Sequence, residues 1–563
     1  MSGQIDRRRF IEFFSAAGLG STLLPGALYA AASQDESVTK EHLAQAEKIA
    51  GLEFTDEERE MMVRGLNQNL RGYQRLRDFP LDNSVPPALV FDPRPPGAPI
   101  DQSYRPVRLP EGPVPNRPGN LEEMAFWPVS RLANAIRHRV VSSLELTEMY
   151  LERLERFDAQ LHCVVTLMKD QAIAQAKRAD EELGAGRYRG PLHGIPWGAK
   201  DLLATRGTRT TWGAKPFESQ MIDEDATVVE RLDRAGAVLL AKLTLGALAM
   251  GDVWFGGKTR NPWNPEQGSS GSSAGSASAV TAGLVGFAIG TETLGSIVSP
   301  CSRCGATGLR PTFGRVSRHG AMALSWTMDK IGPIARSAED CALVFAAIQG
   351  PDGKDPTVRS ATFGWDPNVP LRDMRIAFAE QDFQRGRRGG DFDQATLEVL
   401  EQKGAKLEAI AIPDLPYREL LVILHAEAAT AFDDITRDGR VRELVSQGPG
   451  SWPNSFRTAQ MIPAVEYLRA MRVRSRVIEE VDALFRQYDV IVTPAFNGNA
   501  LVASNLTGHP CVVMPNGFRD NGSPSSITFL GPLDGEAKML AAAHHYQQAT
   551  DHHLKQPEAI TRG

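Results

Sequence analysis

Gly268-Ser-Ser-Gly-Ser-Ser-Ala-Gly-Ser-Ala-Ser278 is the one compositional anomaly of this chain, and its reading decides the fold. It is not placed like a linker. Asn261-Pro-Trp-Asn-Pro265 precedes it and Ala279-Val-Thr-Ala-Gly-Leu284 follows, both in structured-looking sequence. Small residues let backbone amides approach a ligand closely. A second small-residue turn comes next, Gly290-Thr-Glu-Thr-Leu-Gly-Ser296, directly after the apolar run Gly286-Phe-Ala-Ile289. A serine on a tight turn after a strand is well placed as a nucleophile, because consecutive N–H groups there can converge on an oxyanion.

Three readings of the patch compete with a catalytic one. The first is a flexible Gly/Ser loop without a role. The second is a nucleophile elbow, since Gly271-Ser-Ser-Ala-Gly275 fits G-x-S-x-G around Ser273. That motif needs a preceding strand, and Asn261 to Gly268 offers turn residues instead. The third is a phosphate loop at Gly251-Asp-Val-Trp-Phe-Gly-Gly-Lys-Thr259, which misses the required spacing by one residue.

An upstream segment settles the choice. In Gly190-Pro-Leu-His-Gly-Ile-Pro-Trp-Gly-Ala-Lys-Asp201 a lysine sits in mostly apolar surroundings. With the serine-rich stretch and Gly290-Thr-Glu-Thr-Leu-Gly-Ser-Ile-Val298, it resembles the amidase signature family. The resemblance runs on through Cys304-Gly-Ala-Thr-Gly-Leu-Arg-Pro-Thr-Phe-Gly-Arg-Val-Ser317, Ile331-Gly-Pro-Ile-Ala-Arg336, Ser337-Ala-Glu-Asp340 and Asn505-Leu-Thr-Gly-His-Pro510. It spans roughly residues 126 to 550, with the three catalytic segments in family order. It implies Ser296 as nucleophile, with Ser272 and Lys200 as its proton relay and Ser273 in support. It also implies an oxyanion hole from the backbone amides of Thr293, Leu294, Gly295 and Ser296. No cofactor and no metal are implied. Departures are Leu294 for the usual glycine, Glu292 for aspartate, Val298 for arginine and Cys301 for alanine. The Leu294 side chain has to be housed, which would narrow the acyl pocket.

The implied activity is hydrolysis of a linear carboxamide to a carboxylate and ammonia or an amine, through an acyl-serine intermediate. Alternatives on the same fold are an amidotransferase A-type subunit, or an esterase or carbamate hydrolase. The expected partner is a small amide, and a homodimer is compatible with the sequence.

The rest of the chain fits an α/β fold, a central mixed sheet covered by helices on both faces, with a helical N-terminal extension. Strand candidates are Ala237–Ala241, Gly286–Ile289, Arg375–Ala379, Asp489–Val492 and Cys511–Met514, separated by helices such as Pro463 to about Phe485. Ser142-Ser-Leu-Glu145 starts a helix, and Thr55-Asp-Glu-Glu58 is a capping box in a two-helix region over 35–75. Proline density from Val85 to Pro118 predicts a linker or wrapped arm. Expected divisions are 1–32 as a signal peptide, 33–118 as extension and linker, and 119–563 as the amidase signature domain.

Asp6-Arg-Arg-Arg-Phe-Ile11, an apolar stretch from Phe13 to Leu28 and Ala30-Ala31-Ala32 resemble a twin-arginine export signal, so a periplasmic enzyme is expected. The net charge of -6 argues against a nucleic-acid partner, and no apolar run is long enough for stable membrane insertion. Cys163, Cys341 and Cys511 read as buried thiols. Cys301-Ser-Arg-Cys304 alone is a weak zinc or disulfide signal. His544, His545, His552 and His553 read as surface residues.

Overall fold

The computed structural model describes residues 37–77, 82–85, 89–95, 106–108, 112–385 and 390–561. The expected export signal therefore lies outside the described residues. These residues fall into two compact units, one ending at Asp82 and one starting at Asn83.

The first unit contains helices Lys40–Ala50 and Asp56–Arg77. The expected capping box is formed, with Thr55 Oγ1 accepting from the Glu58 amide at 3.3 Å and Glu58 Oε2 accepting from the Thr55 amide at 2.6 Å. A second box, Thr39 with His42, starts the first helix. An Arg59–Glu47 ion pair at 2.9 Å links the two helices.

In the second unit eleven strands form one mixed sheet with helices around it. In chain order they are β1 Val164–Leu167, β2 Pro196–Lys200, β3 Val238–Leu243, β4 Phe287–Glu292, β5 Thr307–Arg310 and β6 Lys330–Ala335. There follow β7 Ile376–Ala379, β8 Leu407–Ile410, β9 Val490–Pro494, β10 Cys511–Phe518 and β11 Pro524–Leu530. Their spatial order is β1-β3-β2-β4-β6-β5-β10-β11-β9-β7-β8. Most neighbours are antiparallel, but β3, β2 and β4 run parallel to one another, as do β9, β7 and β8. Every residue of β2, β3, β4, β5 and β6 is buried, the one charged residue of each included, so these strands are covered on both faces and show no buried–exposed alternation.

The expected strands are present with shifted ends, and the long helix runs Ala464–Phe485. Ser142 caps helix Ser143–Leu161 with Glu145 as foreseen. Among the described residues of the proline-rich stretch there is no helix or strand. Residues 89–95 lie along the main unit instead. Phe91 packs edge-on against Phe313 at 5.0 Å, under the Arg474 guanidinium at 3.8 Å, and Asp92 pairs with Arg359 at 2.9 Å.

The parallel trio positions the site. β2 ends at Lys200 and its neighbour β4 ends at Glu292, so both carboxyl ends open at the same edge. Crevices outside such ends are where α/β sheets bind ligands. Helix Ala274–Thr281 packs against β2, β3 and β4 and is buried along its whole length.

Its Ser/Gly/Ala composition answers to crowding, not flexibility. A Cβ on Gly275 would come within 2.5 Å of the Cys163 carbonyl and the Thr244 amide. On Gly271 it would come within 1.8 Å of the Gly251 carbonyl. The sequence expectation of no strand before Ser273 is corrected. Asn264–Gly268 is a short strand paired with Arg260–Asn261, because the chain turns at Pro262-Trp263 and Asn264 and Pro265 enter the ladder beyond it.

Candidate active site

Lys200 is wholly buried at the end of β2. Its backbone is held on both sides, with the Asp201 amide donating to Leu243 O at 2.8 Å and the Leu203 amide to Lys200 O at 3.0 Å. Its Nζ lies 2.9 Å from Ser272 Oγ, 3.0 Å from Ser273 Oγ and 2.8 Å from Thr291 Oγ1. No carboxylate touches it among the described residues. Burial pushes its amine down from 10.5 to about 7, against the opposing pull of Asp329 and Glu292. A fall of that size corresponds to roughly 5 kcal/mol against the charged amine relative to its state in water.

Two other lysines are buried near this edge. Lys242 pairs with Asp201 at 2.9 Å, and Lys330 donates to the Met328 carbonyl. Neither has a serine hydroxyl among its hydrogen-bond partners in the described residues.

Ser273 is bound from three sides. Its hydroxyl donates to Thr291 O at 3.0 Å, and its oxygen accepts from the Thr291 amide at 3.1 Å and from Lys200. It is fully buried. An elbow nucleophile has to face substrate, so this geometry argues against the G-x-S-x-G reading even though a strand precedes it.

Ser296 follows β4 by a four-residue turn and is 9% exposed, against 1% for Ser272 and 0% for Ser273. Its carbonyl accepts from the Ser273 amide at 3.1 Å, which ties the two serine segments together. Among the described residues no hydrogen bond joins Ser296 Oγ to Ser272 Oγ. The structure thus brings Lys200, Ser272 and Ser273 into direct contact, and Ser296 to them through its backbone.

The turn itself is pinned by Glu292. Its Oε2 accepts from the amides of Ile297 at 2.8 Å and Val298 at 2.9 Å, and its Oε1 from Arg310 at 2.7 Å and Asn505 at 2.8 Å. Burial alone would raise this carboxyl, but the Arg310 guanidinium and these donors hold it down to about 2. The four amides before Ile297, those of Thr293, Leu294, Gly295 and Ser296, donate to no acceptor among the described residues. Four adjacent unspent N–H groups on a turn form a ready anion cradle. Leu294 is partly buried against the core.

Sequence reasoning missed two participants. Thr291 receives Lys200 and holds Ser273, but a lone threonine beside the turn carries no distinguishing signal. Asp329 accepts the Thr293 hydroxyl at 2.6 Å and the amides of Leu324 and Ser325 at 2.8 and 2.9 Å, and only the fold brings it there.

The histidine expectation is corrected. His544, His545, His552 and His553 are half-buried. His544 stands edge-on to Trp365 at 5.8 Å, and burial pushes His544 and His553 down to about 4. His544 and His545 lie in the last part of helix Glu536–Ala549, and His552 and His553 in the short turn His552–Leu554 that follows. All five cysteines are buried and free, Cys301 and Cys304 included.

Residues 145–540 match the family model described as Amidase. Curated relatives include the A-type subunit of the glutamyl-tRNA(Gln) amidotransferase of Marinomonas sp. (strain MWYL1), 35% identical over 76% of this chain and 98% of its own. The corresponding protein of Thioalkalivibrio sulfidiphilus is 34% identical over 77% and 99%. Among solved structures, native peptide amidase from Stenotrophomonas maltophilia superposes with a TM-score of 0.68 at 30% identity, covering 76% of this chain and 97% of that one. A bacterial aryl acylamidase of the amidase signature family shares the fold at TM-score 0.67 and 21% identity, covering 76% and 97%.

Proposed function

The chain belongs to the amidase family, and from that premise we propose that it hydrolyses a linear carboxamide through an acyl-enzyme on Ser296. The observation that carries this reading is Lys200, a buried amine with no counter-charge in hydrogen-bond contact among the described residues, resting on Ser272.

The hydrogen-bond directions favour a particular proton path. A neutral amine has two N–H groups and one lone pair. Ser273 spends its own proton on Thr291 O, so it accepts one N–H from Lys200. Thr291 Oγ1 accepts the other. The lone pair then faces Ser272, whose proton it draws. Ser272 in turn takes the proton of Ser296 as that hydroxyl swings onto it, since the two are not hydrogen-bonded at rest. Ser296 Oγ attacks the amide carbon, and the amides of residues 293–296 receive the oxyanion. The relay run backwards protonates the leaving nitrogen, which would be expelled poorly as an anion. Water then repeats the sequence on the ester and frees the carboxylate.

Labelling by a serine-directed phosphonate or sulfonyl fluoride tests this. Ser296→Ala is expected to lose the label and at least ~10³-fold in kcat. A label that survives Ser296→Ala but disappears in Ser273→Ala would overturn the assignment.

A second reading, an amidotransferase A-type subunit, is favoured by the curated relatives. Hydrolysis of simple amides by the purified chain alone separates the two, because such a subunit would depend on its partners. The basic segment Arg7-Arg8-Arg9 supports export and a periplasmic site of action, a role that the amidotransferase reading does not need.

A further inference from the structure

The sheet has a second group of parallel strands, β9-β7-β8, away from the one that carries Lys200. A crevice of about 300 Å³ opens at its carboxyl ends, the place where parallel strands hold ligands. Ala379 and Ile410, the last residues of β7 and β8, line it, and Asn499 lines it from the chain that follows β9. Its volume is at the lower end of small-molecule sites.

One carboxylate in this wall is buried without a donor. Asp382 sits on the short helix Glu380–Gln384 directly after β7 and is 5% exposed. Its carbonyl accepts from Asn497 Nδ2, which fixes it in place. The chain at Gly498 lies against the carboxylate, for a Cβ there would stand 1.9 Å from Oδ1. Arg385 Nε stands 4.0 Å from Oδ1, beyond hydrogen-bond reach, on a side chain open to solvent. Oδ2 is buried and accepts no hydrogen bond among the described residues. Burial pushes this carboxyl up from its ordinary range. A buried acceptor left unmet is costly, so such a group calls for a partner.

The rest of the wall says what that partner is. Asp414, exposed on the rim, adds a second negative charge. A metal ion is disfavoured by the donor set, since no three carboxylate, imidazole or thiolate groups converge among the described residues. One open oxygen suits the single-point donor of an ammonium better than the fork of a guanidinium. Beside it Ile410 and Ile412 offer half-buried apolar surface to a short hydrocarbon chain. We infer that this crevice binds a primary alkylammonium ion, its N–H donating to Asp382 Oδ2 and its alkyl chain lying on Ile410 and Ile412. None of these residues belongs to the Lys200–Ser272–Ser296 set, so the inference stands independently of the proposed reaction.

The test titrates the full chain calorimetrically with n-butylammonium chloride at fixed ionic strength, with n-butanol as the uncharged probe of the same length. Saturable binding of the ammonium and none of the alcohol is expected. Asp382→Asn keeps the shape of the side chain and removes its charge, and it is expected to weaken binding about tenfold or more. Losing an unpaired buried charge does not cost stability, and the far-UV spectrum and thermal midpoint check that the variant is folded. Methylammonium reads the apolar wall in the unaltered protein and is expected to bind about tenfold more weakly than n-butylammonium. Absence of saturable binding, equal affinity for the alcohol or for methylammonium, or an affinity that Asp382→Asn leaves unchanged overturns the inference. None of these results bears on labelling at Ser296.

Discussion

Lys200 shows how a residue ordinarily kept in water is held as a buried amine, the state that the proposed base requires. Its stem fills the end of a buried strand and its amine meets three hydroxyl oxygens and no carboxylate. The unfolded chain would hold this lysine charged up to about pH 10.5, whereas the folded one releases the proton near pH 7. Between those values the unfolded state binds the extra proton, so this residue makes stability rise with pH from about 7 to 10.5 and fall off again as pH drops. Lys200→Met is expected to abolish turnover. It is also expected to raise the unfolding free energy at pH 7 relative to wild type by a few kcal/mol, with the difference shrinking towards pH 10. Urea melts across that range check it, and a difference independent of pH would contradict it. Ser273→Ala should cost roughly 10- to 100-fold in kcat, less than Ser272→Ala, because Ser273 orients the amine without handling the proton in flight. The motif residues were legible because glycine, proline and lysine at those spacings are rarely assembled by chance. Thr291 and Asp329 were not, since their roles depend on what β4 and β6 place beside them.

At the scale of elements the turn after β4 is held by one buried carboxylate. Glu292 ties two helix-start amides, Arg310 and Asn505 into one knot, and so fixes where the four unspent amides point. Glu292→Gln leaves the Arg310 guanidinium buried without a counter-charge. It should destabilise the protein by about 3–5 kcal/mol and lower kcat more than it raises KM, read from denaturant melts and steady-state kinetics. Gly271→Ala drives a methyl into the Gly251 carbonyl and should displace Ser272, with turnover lost before the fold is. Strands rich in branched residues, such as β3 and β10, could be read directly. β2 and β6 could not, because Pro196, Gly198, Gly332 and Pro333 look like turn residues. The sheet explains them. β6 pairs with β5 only at Ile334 and Ala335, so Pro333 owes no amide to that side. Gly332 is needed where a Cβ would stand 1.9 Å from the Leu309 carbonyl.

At the scale of the whole molecule, the parallel β3-β2-β4 group delivers Lys200 and the Ser296 turn to one edge of an otherwise mostly antiparallel sheet. Alternating helices and apolar runs announced an α/β fold, but the strand order rests on long-range pairings that no local pattern records. We propose that the mature enzyme works in the periplasm. Replacing Arg7 and Arg8 with lysine is expected to keep the protein in the cytoplasm, seen by fractionation, and export that persists would contradict it. The central claim, that a neutral buried amine drives acylation of Ser296, is tested most directly by the pre-steady-state acylation rate between pH 5 and 10 with a chromogenic anilide. The account predicts a single sigmoidal rise with its midpoint near pH 7 and a plateau above it. A burst rate that stays level across that range, or declines as the solution becomes alkaline, would contradict it.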